Sequence, residues 1–217
     1  MNFLIPERVD TPELLDEHDA PRADVERSLR DLRRINRYLG GIRIYRKMTR
    51  PFAPFRSILD LGAGTADLLL NVDASLRVAL DIKIDHLLYL RDGTNVRAVV
   101  GDAMRLPFRD AAVDVITSAH FFHHFSAEEN ARIAAESLRV ARKGVAFNDT
   151  RRHYIPLLFI SLLAAMRLVG RITRYDGPAS VRRAYTADEA ASIGRRVAAR
   201  VSVVRAFPYR FGLLLWK

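Results

Sequence analysis

Five short apolar runs, Ser57–Leu61, Arg77–Asp81, Val96–Val100, Val113–Ser118 and Gly144–Asn148, alternate with helix-like stretches near Ala66–Asn71, Asp85–Arg91 and Ala127–Ala141. Strands that are apolar almost throughout need cover on both faces, and helices between them supply it. Further runs near Arg200–Ala206 and Tyr209–Trp216 predict an antiparallel edge pair. The expected fold is α/β: a doubly wound, Rossmann-like sheet of seven strands, mostly parallel. An N-terminal helical extension precedes it, with Val25, Leu29, Leu32, Ile35 and Leu39 at helical spacing, an end at Gly40-Gly41, and a second helix over Ile42–Met48 before Pro51. Residues 1–21, acidic and turn-rich, read as an arm that orders against the body or not at all. After the fifth strand comes a helical insertion, residues 150–185, and Thr186 with Glu189 forms a capping box opening another helix.

A chain of 217 residues suits one large domain. It contains no cysteine, which excludes a disulfide framework, a zinc–thiolate site and a cysteine nucleophile, and fits a reducing, cytoplasmic setting. The net charge of +10 invites a phosphate-binding reading. The basic residues are scattered, however, apart from a denser run over Arg22–Arg50, so nucleic acid is not the expected partner. The first twenty residues lack the apolar core of a secretory signal. The most apolar stretch, Tyr154–Met166, is shorter than the roughly 20 residues that cross a bilayer. Arg151, Arg152 and Arg167 beside it leave shallow, peripheral membrane contact open, next to the readings of a buried helix or a lid lined by Tyr154, Phe159 and Met166. Monomer and homodimer are both compatible with the sequence.

The chemistry concentrates in Ile58-Leu59-Asp60-Leu61-Gly62-Ala63-Gly64-Thr65-Ala66-Asp67, a strand running into a glycine-rich turn expected to open a helix. Glycines there let backbone approach a ligand closely. A dinucleotide fingerprint would carry a glycine where Asp67 stands, beside a pyrophosphate. An acidic turn instead suits a cationic nucleoside such as S-adenosylmethionine, with its sulfonium and ammonium. Asp81 closes the second strand, where a carboxylate can accept from ribose hydroxyls, and Ile82 is placed to cover the adenine. Asp102, after the third strand, can accept from the adenine amino group, or it can simply cap the next turn.

With those residues, and with Ala79-Leu80-Asp81, Val100-Gly101-Asp102, Leu106-Pro107-Phe108, Val113-Asp114-Val115-Ile116 and Arg139-Val140, the chain resembles the small-molecule class I methyltransferases of ubiquinone and menaquinone biosynthesis. Segments Ser28–Arg37 and Asp176–Arg183 resemble a bacterial subgroup often encoded beside type III, chalcone-synthase-like polyketide synthases. The resemblance implies S-adenosylmethionine as cofactor, S-adenosylhomocysteine as product, and a phenolic, quinone-like or polyketide-like acceptor. It implies that Asp60, Gly62, Ala63 and Gly64 hold the methionine part, Asp81 the ribose, and Asp102 with Ala103 the adenine. Ser118 and Ala119 would lie beneath the methyl. Ala66 stands where the family has a third glycine, a change expected to be tolerated at a helix start. Residues 1–56 would then help cover the acceptor site, and residues 57–217 would be the methyltransferase domain.

Methyl transfer is a displacement at an activated sulfonium, so alignment is the main task and contributes roughly 7–11 kcal/mol. Attack by a phenol oxygen, favoured here over carbon, also benefits from a base. His120, His123 and His124 follow the fourth strand and are the candidates, with packing as their bland alternative. No metal is expected on them, because the triplet shows neither a further ligand nor an orienting partner. Two other functions stay open: an RNA methyltransferase, and a non-catalytic S-adenosylmethionine-binding protein.

Overall fold

The computed structural model describes residues 4–16, 20–90 and 93–217. Its sheet consists of β1 (Ser57–Leu61), β2 (Leu76–Asp81), β3 (Val96–Val100), β4 (Val113–Ala119), β5 (Ala141–Thr150), β6 (Arg200–Ala206) and β7 (Arg210–Trp216). The order is β3-β2-β1-β4-β5-β7-β6, with β7 antiparallel to both neighbours and the other pairs parallel. This is the seven-stranded arrangement the apolar runs predict.

All five residues of β1 are buried, and alternate side chains feed two different cores. Leu59 and Leu61 join Ile116, Ile133 and Leu213 beneath α4 (Ala127–Val140) and α7 (Ala187–Arg195). Ile58 joins Tyr45, Met48, Val115 and Leu214 on the other face, under α2 (Gly41–Thr49). Both α4 and α7 start with a complete capping box, Ser126 with Glu129 and Thr186 with Glu189. Each box satisfies backbone N–H groups that the first turn leaves unpaired.

Two expectations are corrected. The stretch Ala66–Asn71 forms turns and a short 3-10 segment over Leu69–Asn71 instead of an α-helix. Ala66 is left-handed there, and α2 from the N-terminal extension already covers that face of the sheet. The helix expected over Asp85–Arg91 is a single turn, α3 (Ile84–Leu87), and its Arg91 end lies outside the described residues. The insertion holds two helices, α5 (Tyr154–Ala165) and α6 (Arg171–Arg183), and α6 runs straight through Gly177-Pro178. An interior proline costs an isolated helix about 3 kcal/mol, so packing outweighs propensity here.

The described part of the arm is ordered against this insertion. Leu14 and Leu15 donate their N–H groups to the Asp176 carboxylate at 2.8 and 3.0 Å, and Arg8 Nε donates to the Arg183 carbonyl at 2.8 Å. Arm, α1 (Arg22–Tyr38), α5 and α6 together roof the carboxyl edge of the sheet.

Candidate functional site

The sheet order reverses between β1 and β4, the position at which doubly wound sheets bind ligands beyond the strand ends. The chain leaves β1 there through Gly62 and Gly64, both left-handed, at φ +60° and +51°. A Cβ on Gly64 would meet nothing within 4 Å, so backbone is open to a ligand at that point. A Cβ on Gly62 would lie 2.3 Å from the Phe121 ring, so this glycine also makes room for an aromatic wall. Ala66 does not start a helix. It is buried at φ +53°, a conformation that costs an L-residue roughly 1–2 kcal/mol.

Above the turn lies a cavity of about 970 Å³. Asp60, Gly62, Ala63, Gly64, Asp81 and Ile82 line it, and so do His120, His123 and His124. Asp102, Ala103 and Ser118 do not. Asp102 is exposed just past β3, and its carboxylate accepts from the Met104 N–H at 2.8 Å, the local capping that sequence reasoning kept as its alternative. Ala103 is buried in the core, and Ser118 is buried in β4 between Leu61 and Phe147. On α5, Phe159 reaches the cavity, whereas Tyr154 and Met166 point outward and are exposed.

Asp60 is enclosed by polar partners. Its Oδ1 accepts from Thr117 Oγ1 at 2.6 Å and from the Tyr45 hydroxyl at 3.3 Å. Burial pushes its pKa up against those two hydrogen bonds, to about 6. Asp81 is also buried, but its carboxylate accepts from the backbone N–H groups of Gly64 and Lys83, both at 3.0 Å, and faces His86 Nδ1 at 3.5 Å. Desolvation is outweighed there, and its pKa stays below the ordinary aspartate value. Asp67 is not free to repel or attract a ligand. Arg33 of α1 pairs with it at 2.9 Å, and Thr65 hydrogen-bonds the same oxygen.

Tyr45 and Arg33 were passed over in the sequence. Tyr45 had a signal: a phenol between Ile44 and Met48 on the buried stripe of a helix must bring its hydroxyl to an internal acceptor. Arg33 had none, because its partner lies 34 residues away across the cavity.

The three histidines occupy different environments. His123 is 2% exposed and clamped, with Nδ1 2.8 Å from Asp149 and Nε2 3.2 Å from Glu13. The Glu13 contact is off line for a hydrogen bond, so charge attraction carries it. Burial lowers the His123 pKa, but the two carboxylates overcome this and raise it to about 10. An imidazolium committed at both nitrogens has no lone pair, which corrects the expectation that His123 serves as a base. His120 is driven the other way, its pKa held well below the usual value by burial and by Arg210. Its Nε2 meets both the Arg210 guanidinium and Asn36 Oδ1. His124 is partly exposed to the cavity, and its Nδ1 lies 3.0 Å from Asp16 of the arm. Among the described residues, that contact leaves Nε2 as the ring nitrogen with no carboxylate hydrogen-bonded to it.

The cluster contains what the triplet lacked in the sequence. Glu13, His123 and His124 bring one donor atom each within 4.8 Å of one another, and Asp149 and Asp16 stand behind the rings. Arg183 Nη1 lies 3.8 Å from the same Glu13 oxygen, so a divalent cation would meet a guanidinium as well as an imidazolium.

Residues 58–144 match a family model described as a methyltransferase domain. Over 84 residues the chain is 39% identical to the demethylmenaquinone methyltransferase of Mycolicibacterium paratuberculosis, a match covering 36% of each protein. The chain thus spans little more than a third of the length of the curated relative it matches. Among solved structures it is similar to an S-adenosylmethionine-dependent methyltransferase from Aquifex aeolicus, at 20% identity and a TM-score of 0.60, over 86% of this chain and 97% of that one. It is also similar to the plantazolicin methyltransferase BpumL, solved with a desmethyl substrate analogue and S-adenosylhomocysteine, at 13% identity and a TM-score of 0.65 over 88% of both chains.

Proposed function

Since the fold and the matched segment are those of a class I S-adenosylmethionine-dependent methyltransferase, similar to the quinone-biosynthesis type, we propose that this protein transfers the methyl group of S-adenosylmethionine to a hydroxyl oxygen of a small, apolar aromatic acceptor. The observation that carries the reading is that one cavity is lined by Gly64 and Asp81 of the cofactor side and also by Phe121, Phe125, Phe159, His120 and His124. The cofactor lies at the glycine turn, with Asp60 near its cationic end and Asp81 at the ribose. Asp102, Ala103 and Ser118 remain the expected adenine and methyl-proximal positions just outside the open cavity. The arm and α1 form part of the acceptor cover, through Asp16, Arg33 and Asn36.

The acceptor oxygen aligns with carbon and sulfur on the apolar side, and the roof keeps water out. His124 takes the hydroxyl proton at Nε2 while Asp16 holds its Nδ1 side. His123, fixed between Asp149 and Glu13, supports the ring of His124, the two centroids lying 4.2 Å apart. A panel of phenols and hydroquinones with labelled S-adenosylmethionine tests the reading. Cofactor binding without label transfer to any member would instead favour a non-catalytic binder, and labelling of RNA alone would favour a nucleic-acid enzyme.

Two further outcomes are expected. Asp81→Ala should weaken calorimetric S-adenosylmethionine affinity by about 1.5–3 kcal/mol, the range for lost hydrogen bonds to a charged group. An unchanged affinity removes Asp81 from the site. Asp60, with its pKa near 6, should lose its proton when the cation binds. Affinity should therefore be flat above pH 6 and fall by about tenfold per pH unit below it. Asp60→Asn should abolish that dependence, and a wild-type affinity constant down to pH 5 would contradict the placement.

A further inference from the structure

We propose that the outward face of α5, together with the rim of the cavity mouth, docks this protein on an anionic lipid surface, so that a lipophilic acceptor enters the cavity directly from the bilayer. α5 has no charged residue across Tyr154–Ala165, and Ile160 is its one buried side chain. Ile155, Leu158, Phe159, Leu162 and Met166 recur at helical spacing, and each is 45–66% exposed. A helix ordinarily turns such a stripe inward, and soluble monomers seldom leave a contiguous one bare. Here the inward side is taken by α6, and the apolar stripe faces out.

The stripe is continuous with the site. Ile155 and Phe159 line the cavity as well as the surface, and Tyr38 and Phe207, 74% and 77% exposed, stand at the same opening. This wall offers an apolar molecule an apolar entry from the outer surface into the cavity.

Charge selects the occupant. Arg167 and Arg171 are exposed at the far end of the helix, Arg37 and Arg43 line the mouth, and the whole chain carries +10. A second copy packed on this face would oppose arginine to arginine, whereas anionic headgroups complement them. No helix among the described residues is long and apolar enough to cross a membrane, so α5 lies in the interface with its stripe among the acyl chains. The acceptor's route rests on the methyl-transfer reading; the docking does not.

Vesicle co-sedimentation without any acceptor tests the docking alone. Wild-type protein should pellet with vesicles containing phosphatidylglycerol, less with pure phosphatidylcholine, and less at high salt. Leu158 and Leu162 lie outside the cavity lining, so the pair Leu158→Glu and Leu162→Glu should lower vesicle affinity at least about tenfold while S-adenosylhomocysteine affinity stays unchanged. If that pair impairs cofactor binding, Leu158→Ser with Leu162→Ser replaces it, with the same loss expected. Wild-type protein left in the supernatant with anionic vesicles overturns the proposal, as does a folded variant that pellets like wild type. A wild-type dimer that the variant dissociates, without vesicle binding, assigns the face to a second copy and also overturns it.

Discussion

Replacing His123 by alanine is expected to destabilise the fold by about 3–5 kcal/mol, because it leaves Asp149 and Glu13 buried and facing each other without their shared cation. Urea unfolding followed by circular dichroism measures the loss. His123 is raised from 6.5 to about 10 on folding, so its contribution is fully present below pH 6.5 and disappears as pH climbs toward 10. Asp149 shifts in the opposite sense. Burial raises its pKa and His123 more than offsets this, leaving it at about 2, so its contribution is present above pH 3.8 and is lost as pH falls toward 2. The contribution of this pair should therefore plateau between about pH 4 and 6.5 and decline on both sides. In the alanine variant the alkaline decline should largely vanish. Wild-type stability constant from pH 6.5 to 10 would show that the clamp is not an ion pair. Cofactor affinity, measured where the variant is still folded, should change little, since neither carboxylate touches the glycine turn.

The sheet was legible because its signal is local: a strand buried on both faces, such as β1, is apolar almost throughout, and the runs also locate the partly exposed edge strands β3 and β6, whose bounds match as well. The turn after β1 was legible for the same reason, since Gly62 and Gly64 announce left-handed backbone. Contacts made at long range were not. The sequence offered three equivalent histidines, and only the fold shows that Asp149 and Glu13 fix His123, Arg210 and Asn36 occupy His120, and Asp16 orients His124. The acidic turn was legible only in part, since its two carboxylates differ: Asp67 is paired with Arg33, whereas Asp60 is buried and lines the cavity. Within the insertion, the division into two helices was not legible, because Gly177-Pro178 is a local breaking signal that tertiary packing overrides.

His124→Ala is expected to lower turnover by about 10²–10⁴-fold while S-adenosylmethionine affinity is unchanged, the range for loss of a positioned base. His123 has both nitrogens committed to carboxylates, and the Nε2 of His120 is occupied by Arg210 and Asn36. Among the described residues, His124 is the one of the three with one nitrogen oriented by a carboxylate and no hydrogen bond to the other. Its defect should depend on the acceptor: a phenol acidic enough to be ionised at the assay pH needs no base and should react at nearly the wild-type rate. Asp16→Asn should give a smaller loss of the same kind, since it disturbs the orientation of the ring and leaves the ring in place. Full activity of His124→Ala on a weakly acidic phenol would remove the base from the mechanism and leave alignment against the sulfonium as the enzyme's whole contribution.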